Sequence, residues 1–240
     1  MISWLCYDTP STTTLTQVIA SDFARTGATR LAAELDGNHA VRVGTTTTPP
    51  PPISVIAHSY GTTTAADALM TTRYPITSLT MIGSAGIDTR VVPTLTGLHV
   101  THDTTGTPAI YTTKASADRL APLGTLTRSD PNPGLLTPNP ITGAQSFSSE
   151  GTSTLKRVQG HGTLGENHSG PDPLNITPPP GHGYFDEKTE SLRNMAATSL
   201  GQPQNVVGGL HPTDTNRLNN TLTNITTTLT DIALRGTPHP

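Results

Sequence analysis

Ser59 lies in the run Ala57-His58-Ser59-Tyr60-Gly61, with a small residue two places before it and another two places after. That spacing suits a sharp turn from a strand into a helix, which strains the serine backbone and lifts its hydroxyl above the strand end. The flanking positions must be small because strand and helix approach closely there. Ala57 stands where glycine is commoner, and alanine is small enough to fit. A hydroxyl so placed is a candidate nucleophile for acyl transfer, and the helix N-terminus beneath it favours developing negative charge. The same five residues could form an ordinary turn whose serine caps a helix. The context favours chemistry: the apolar segment Ile53 to Ala57 precedes the turn, and Ala65, Ala66, Ala68 and Leu69 give the following helix a packing face.

A serine hydroxyl needs a base to take its proton, and the base needs an orienting carboxylate. In a sheet built from strand–helix units the expected chain order is nucleophile, acid, histidine. Asp118 follows a strand candidate, Ala109 to Thr113, at the right place for the acid. Asp88, in a Gly-flanked loop, and Asp103, ahead of that strand, compete with it. Of nine histidines, His58 neighbours the nucleophile, but the elbow is expected to turn its side chain away. His99, His102 and His211 fall in loops, and His161 and His168 fall in a glycine-rich stretch. His182, between two glycines and ahead of Tyr184-Phe185, is the chosen base because such a loop lets the ring reach over the sheet edge. The oxyanion is expected to meet the backbone N–H of Tyr60. A second donor is expected on the loop after the first strand, at Cys6, Tyr7 or Asp8, with Tyr7 preferred; Pro10 has no N–H to give.

These residues need elements to position them. Ile2 to Leu5 reads as a strand, and Leu15, Val18, Ile19 and Phe23 recur at helical steps. Ala28 to Leu35 continues helically until Gly37, and Thr45 to Pro52 reads as a stiff linker. The strand ending at Ala57 leads into a helix over Thr62 to Thr72. Ser78 to Ile82 and Ala109 to Thr113 are further strands, and the alternation predicts parallel strand–helix units. Residues 122 to 180 read as loop or lid, with a short strand near Leu155 to Val158. Lys188 to Leu200 is predicted helical. Leu218, Leu222, Ile225, Leu229 and Ile232 form an apolar stripe suited to a helix docking on the core.

Composition narrows the function. A 25.1 kDa chain of 240 residues suits one core. Hydrophobic residues are only 32%, which predicts a compact core flanked by irregular loop. With a net charge of −3 and no basic cluster, nucleic acid is excluded as a partner. Cys6 is the only cysteine, so no disulfide can form within the chain. No apolar run spans a bilayer and the start is no signal peptide, so the expected location is cytoplasmic, with a dedicated secretion route still open. Asn-x-Ser/Thr triplets at Asn167, Asn175, Asn219 and Asn224 are expected by chance in a Thr-rich chain. His161, His168, His182 and Glu166 match no helical metal-ligand spacing, so no metal is predicted.

Six segments occur together in order: Trp4-Leu5-Cys6-Tyr7-Asp8-Thr9-Pro10, Ala57 to Thr63, Ile82 to Gly86, Ala117-Asp118, Gly143 to Phe147, and Gly181-His182-Gly183-Tyr184-Phe185. In this the chain resembles the alpha/beta hydrolase family first catalogued as domain of unknown function 1023, widespread in actinobacteria. The resemblance covers roughly residues 1 to 205. It implies an α/β-hydrolase-type, mostly parallel sheet with helices on both faces, and it assigns triad roles to Ser59, Asp118 and His182. Residues 206 to 240 are left as an amphipathic helix and tail. Cys6 stands where the family usually has glycine, and the resemblance leads us to expect a sheet without the family's N-terminal strands. The expectation is a serine hydrolase, esterase- or lipase-like, that cleaves an ester, thioester or amide of a small-molecule or lipid-like acyl substrate without a cofactor. Oligomeric state is left open. The alternative is an inactive hydrolase fold that serves as a binding module.

Overall fold

The sheet begins with β1 (Ser54–His58), an apolar segment bounded by the proline run before it and the elbow after it. The computed structural model describes residues 2–4, 21–45, 52–103, 105–132, 139–165 and 181–213. Within these, β1 is followed by α2 (Gly61–Leu69), β2 (Ser78–Ile82), β3 (Ile110–Thr113), β4 (Gln145–Ser146) and β5 (His211–Pro212). Helix α1 (Asp22–Thr45) precedes β1; the single turn α3 (Ala121–Gly124) and helix α4 (Glu190–Ser199) lie between β3 and β5. The strands stand in the order β1-β2-β3-β4-β5. The first four are parallel, with Ser54 opposite Ser78 and Leu79 opposite Ile110, and β5 runs antiparallel to β4. Parallel neighbours need crossovers, and α2 supplies the one between β1 and β2.

Every residue of β2 is buried, as a central strand covered on both faces must be. Leu79 and Met81 point into one cluster with Ala65, Ala66 and Leu69 of α2 and Ala28 and Leu31 of α1. The alternate residues face α4: the Ser78 hydroxyl donates to the Thr198 carbonyl at 3.2 Å, and Thr80 and Thr198 hydroxyls share a 2.9 Å bond. Ile82 joins a second cluster with Tyr184, Met195 and Val158. The low apolar content is thus explained by a core that contains threonine. Thr62, Thr63, Thr80, Thr112 and Thr113 are all buried. Threonine has valine's shape, and a buried hydroxyl left without a partner is costly; Thr63 donates to the Gly86 carbonyl at 2.6 Å, whereas among the described residues the Thr112 hydroxyl has no partner.

The described elements correct several boundaries. α1 does not stop at Gly37 but runs to Thr45. An interior glycine costs only about 1 kcal/mol, and the second half of the helix is tied down by the Arg73 N–H on Asp36 (2.9 Å) and by His39 stacked on Tyr74 at 3.9 Å. Ile2 to Trp4 form no strand, and Leu5 lies outside the described residues. Leu155 to Val158 has only a bridge from Lys156 to Thr189 and no ladder. β4 and β5 were not anticipated, and β5 lies past residue 205. The stripe from Leu218 to Ile232 falls outside the described residues.

Candidate active site

The turn from β1 into α2 places Ser59 at φ +54°, the left-handed region that costs a non-glycine residue about 1–2 kcal/mol. Hydrogen bonds hold it there. The Ser59 N–H donates to the Ile82 carbonyl at 3.1 Å, continuing the β1–β2 ladder. Its carbonyl accepts from the Thr62 N–H (3.0 Å), the Ala85 N–H (3.2 Å) and the Thr62 hydroxyl (2.7 Å). Because the Thr62 hydroxyl is spent on that carbonyl, Ser84 Oγ donates to Thr62 Oγ1 at 2.7 Å and accepts the Gly86 N–H at 3.1 Å. The loop after β2 therefore braces the strained turn.

His161 lies between Ser59 and Asp118. Its Nε2 is 2.7 Å from Ser59 Oγ, and its Nδ1 is 2.9 Å from both carboxylate oxygens of Asp118. Burial pushes the Asp118 carboxyl upward, but the hydrogen bond and charge of His161, the Ala121 N–H and the Tyr184 hydroxyl outweigh it and hold the carboxyl below its ordinary range. A carboxylate only accepts, so Nδ1 of His161 carries the hydrogen and Nε2 is left to accept from Ser59. Asp118 is fixed from three sides. Its Oδ1 accepts the N–H groups of Leu120 (3.1 Å) and Ala121 (3.0 Å), and its Oδ2 accepts the Tyr184 hydroxyl at 2.9 Å. That phenol is fully buried, and burial together with the Asp118 charge raises its pKa well above the usual value, so it remains a donor. It also accepts the Ala115 N–H at 3.0 Å.

The structure does not bring His182, the expected base, to Ser59. The His182 ring turns to Asp186, with Nδ1 3.5 Å from Oδ2, while its carbonyl accepts the Gln159 N–H at 2.8 Å. Tyr184 and Phe185 donate in turn to the carbonyls of Gly162 (3.0 Å) and Thr163 (2.6 Å). Residues 182–185 are thus the backing of the His161 loop. The glycines beside His182 serve this contact: a Cβ on Gly183 would lie 2.5 Å from the Leu164 backbone, and one on Gly181 would lie 2.5 Å from Gln159 Cβ.

The competing acids are placed elsewhere. Asp88 is buried and bonded to Arg90 at 2.9 and 2.8 Å, which holds its carboxyl far below the usual range. Asp103 closes an exposed turn through Thr105 and Thr107. Gly83, at φ +51°, passes directly beneath the triplet: a Cβ there would lie 2.8 Å from Asp118 Oδ2 and 3.4 Å from His161 Nδ1. Tyr60 caps α2; its hydroxyl accepts the Ala24 N–H at 3.2 Å and its ring lies 5.0 Å from the Arg128 guanidinium carbon. Cys6, Tyr7 and Asp8 lie outside the described residues. No helix among the described residues is long and apolar enough to cross a membrane.

Residues 1–117 match the sequence profile of an alpha/beta hydrolase family, a stretch that includes Ser59 and stops one residue short of Asp118. Two curated relatives, both uncharacterized proteins of Mycobacterium tuberculosis (strains CDC 1551 and H37Rv), are each 25% identical over 201 residues. The alignment covers 84% of this chain but 28% of theirs, so the chain spans little more than a quarter of their length. No solved structure matches it significantly. With its profile match over residues 1–117 and its mostly parallel sheet, the chain has an α/β-hydrolase-type fold.

Proposed function

We propose that the chain is a serine hydrolase that cleaves an ester-like acyl bond through Ser59, His161 and Asp118. The observation that carries this reading is the unbroken relay Ser59 Oγ–His161 Nε2 (2.7 Å) and His161 Nδ1–Asp118 (2.9 Å) on a serine with φ +54°. Ser59 Oγ attacks the substrate carbonyl while His161 Nε2 takes its proton. The imidazolium formed faces the Asp118 carboxylate, which stabilises it without accepting the proton. The tetrahedral oxyanion forms at the α2 N-terminus, where the Tyr60 N–H is one donor; Tyr7, expected from the sequence to supply the other, lies outside the described residues. Collapse releases the leaving group with the proton held on His161. Water, deprotonated by His161, then cleaves the acyl-enzyme and restores Ser59. An ester, thioester or amide of a small or lipid-like acyl group fits this scheme, and no cofactor enters it.

The test is labelling by a fluorophosphonate probe. Wild type and His182→Ala are expected to label at similar rates, because the Gln159 contact uses the main chain of residue 182. Ser59→Ala and His161→Ala should lose labelling, since removing a triad member costs on the order of 10⁴-fold or more. A folded wild type that does not label, or a Ser59→Ala that labels like it, overturns the reading in favour of a non-catalytic binding module.

A further inference from the structure

We infer that His58, the residue before the nucleophile, positions the base: its ring N–H donates to the main-chain carbonyl of His161 and holds that imidazole between Ser59 and Asp118. The inference rests on the serine-hydrolase reading above and adds a residue to it.

His58 does not turn away from the site. Its Nε2 lies 2.6 Å from the His161 carbonyl oxygen, 103 residues along the chain. A carbonyl only accepts, so Nε2 carries the hydrogen and donates it. Burial first, and the charge of His161 second, lower the His58 pKa to about 4, which keeps it neutral near pH 7. The ring centroids of the two histidines are 4.8 Å apart, tilted by 42°. A cation at that distance would oppose formation of the His161 imidazolium; a neutral ring does not.

The loop around His161 has no helix or strand to hold it. Its main-chain bonds to residues 182–185 lie on either side of residue 161, at Gln159, Gly162 and Thr163. Among the described residues, the partner of the His161 carbonyl is His58. His58 is also the last residue of β1, paired with Ile82 in the ladder, and the Ser59 N–H donates to that same Ile82 at 3.1 Å. Two consecutive residues of one strand end therefore present the nucleophile and grip the base. Their separation is set by a rigid element rather than by the loop, and preorganisation of this kind is where ångström-scale errors become large rate losses.

Three substitutions test this through fluorophosphonate inactivation, with the maximal rate and the half-saturating probe concentration measured separately. Glutamine places an amide N–H at the reach of Nε2, asparagine carries the same donor one bond short, and phenylalanine fills the volume with no donor. We expect His58→Asn and His58→Phe to lose about 10- to 100-fold in maximal rate, with half-saturation changed less than about twofold. His58→Gln should recover most of the loss. A purely packing role would leave His58→Phe active. Wild-type rates in His58→Phe or His58→Asn, or a His58→Gln as slow as His58→Asn, overturn the inference. Should His58→Phe fail to fold, the Gln–Asn comparison decides by itself. A wild type that never labels would refute the serine-hydrolase reading instead, and it would do so before any change at residue 58.

Discussion

Replacing Asp67 with asparagine should stabilise the protein at alkaline pH and leave it little changed at acid pH. Asp67 sits on α2, the helix that begins at the elbow, and is only 3% exposed. Among the described residues, neither of its carboxylate oxygens has a hydrogen-bond partner. Burial first, and the nearby Asp88 charge second, raise its pKa from 3.8 to about 7, against partial relief from Arg25, Arg128 and Arg90. The folded protein therefore keeps a proton that the unfolded chain releases above its ordinary pKa. Between those two values the native state binds more protons, so stability falls as pH rises and the full cost is reached above about pH 7. From 3.8 to about 7, at ~1.4 kcal/mol for each tenfold, the cost comes to about 4 kcal/mol at most. Asparagine matches the neutral acid and does not titrate. At ~2–4 °C per kcal/mol for a chain of this size, Asp67→Asn should melt about 10 °C above wild type at pH 8 and within a degree or two of it at pH 4. Thermal unfolding followed by circular dichroism at the two pH values reads this directly. An equal offset at both pH values, or an asparagine variant less stable at pH 8, would show that the arginines bind Asp67 as an anion and refute the reasoning.

Gly83→Ala should disable the site more than the fold. Its Cβ would fall 2.8 Å from Asp118 Oδ2 at a φ of +51°, so probe labelling should slow by about 100-fold, with a stability loss of about 1–2 kcal/mol in a urea melt; unchanged labelling would contradict the close approach. Tyr184→Phe strips Asp118 of a donor and leaves the Ala115 N–H without its acceptor. A stability loss of about 1.5–3 kcal/mol is expected, together with slower labelling, measured on the same preparations. His58 acts on stability from the opposite side to Asp67. Its folded pKa of about 4 lies below the ordinary 6.5, so the unfolded chain binds the extra proton and stability drops as pH falls from 6.5 toward 4. His58→Gln should flatten that acid slope in melts at pH 4.5 and 7, and an unaltered slope would show that His58 is not held neutral.

β1, β2 and β3 were legible because each is a short run of strand-forming residues stopped by a turn signal. β2 was read at its observed bounds, and the elbow after β1 was visible as small residues at fixed spacing around Ser59. β4 and β5 were not legible. Two residues cannot display an alternation, and β5 contains Pro212, which a pattern reading treats as a strand breaker although an edge accepts it. α1 was cut short at Gly37 for the opposite reason. Local propensity argued for a stop, whereas the Asp36–Arg73 and His39–Tyr74 contacts that extend the helix join residues 35 or more apart.

The histidine shows where a local reading of a site fails. Gly181-His182-Gly183 is unusual, but its glycines answer to crowding, by the Gln159 side chain at Gly181 and by the Leu164 backbone at Gly183, and not to the reach of the ring between them. A Cβ at either would strike the segment 159–164. That segment contains His161, so the motif points from one layer away to the ring beside Ser59. Glycine in a sequence reports that something comes close; it does not report what. Glycine-flanked His182 and glycine-flanked His161 were equally good candidates by type, and only the partner identifies which ring faces Ser59. The one sequence feature that could have separated them is the companion residue. His182 has Asp186 four places on, an acid of its own that competes for the imidazole. His161 has no acid nearby in sequence until Glu166, so its ring is the one left for a carboxylate supplied from across the sheet, which is Asp118.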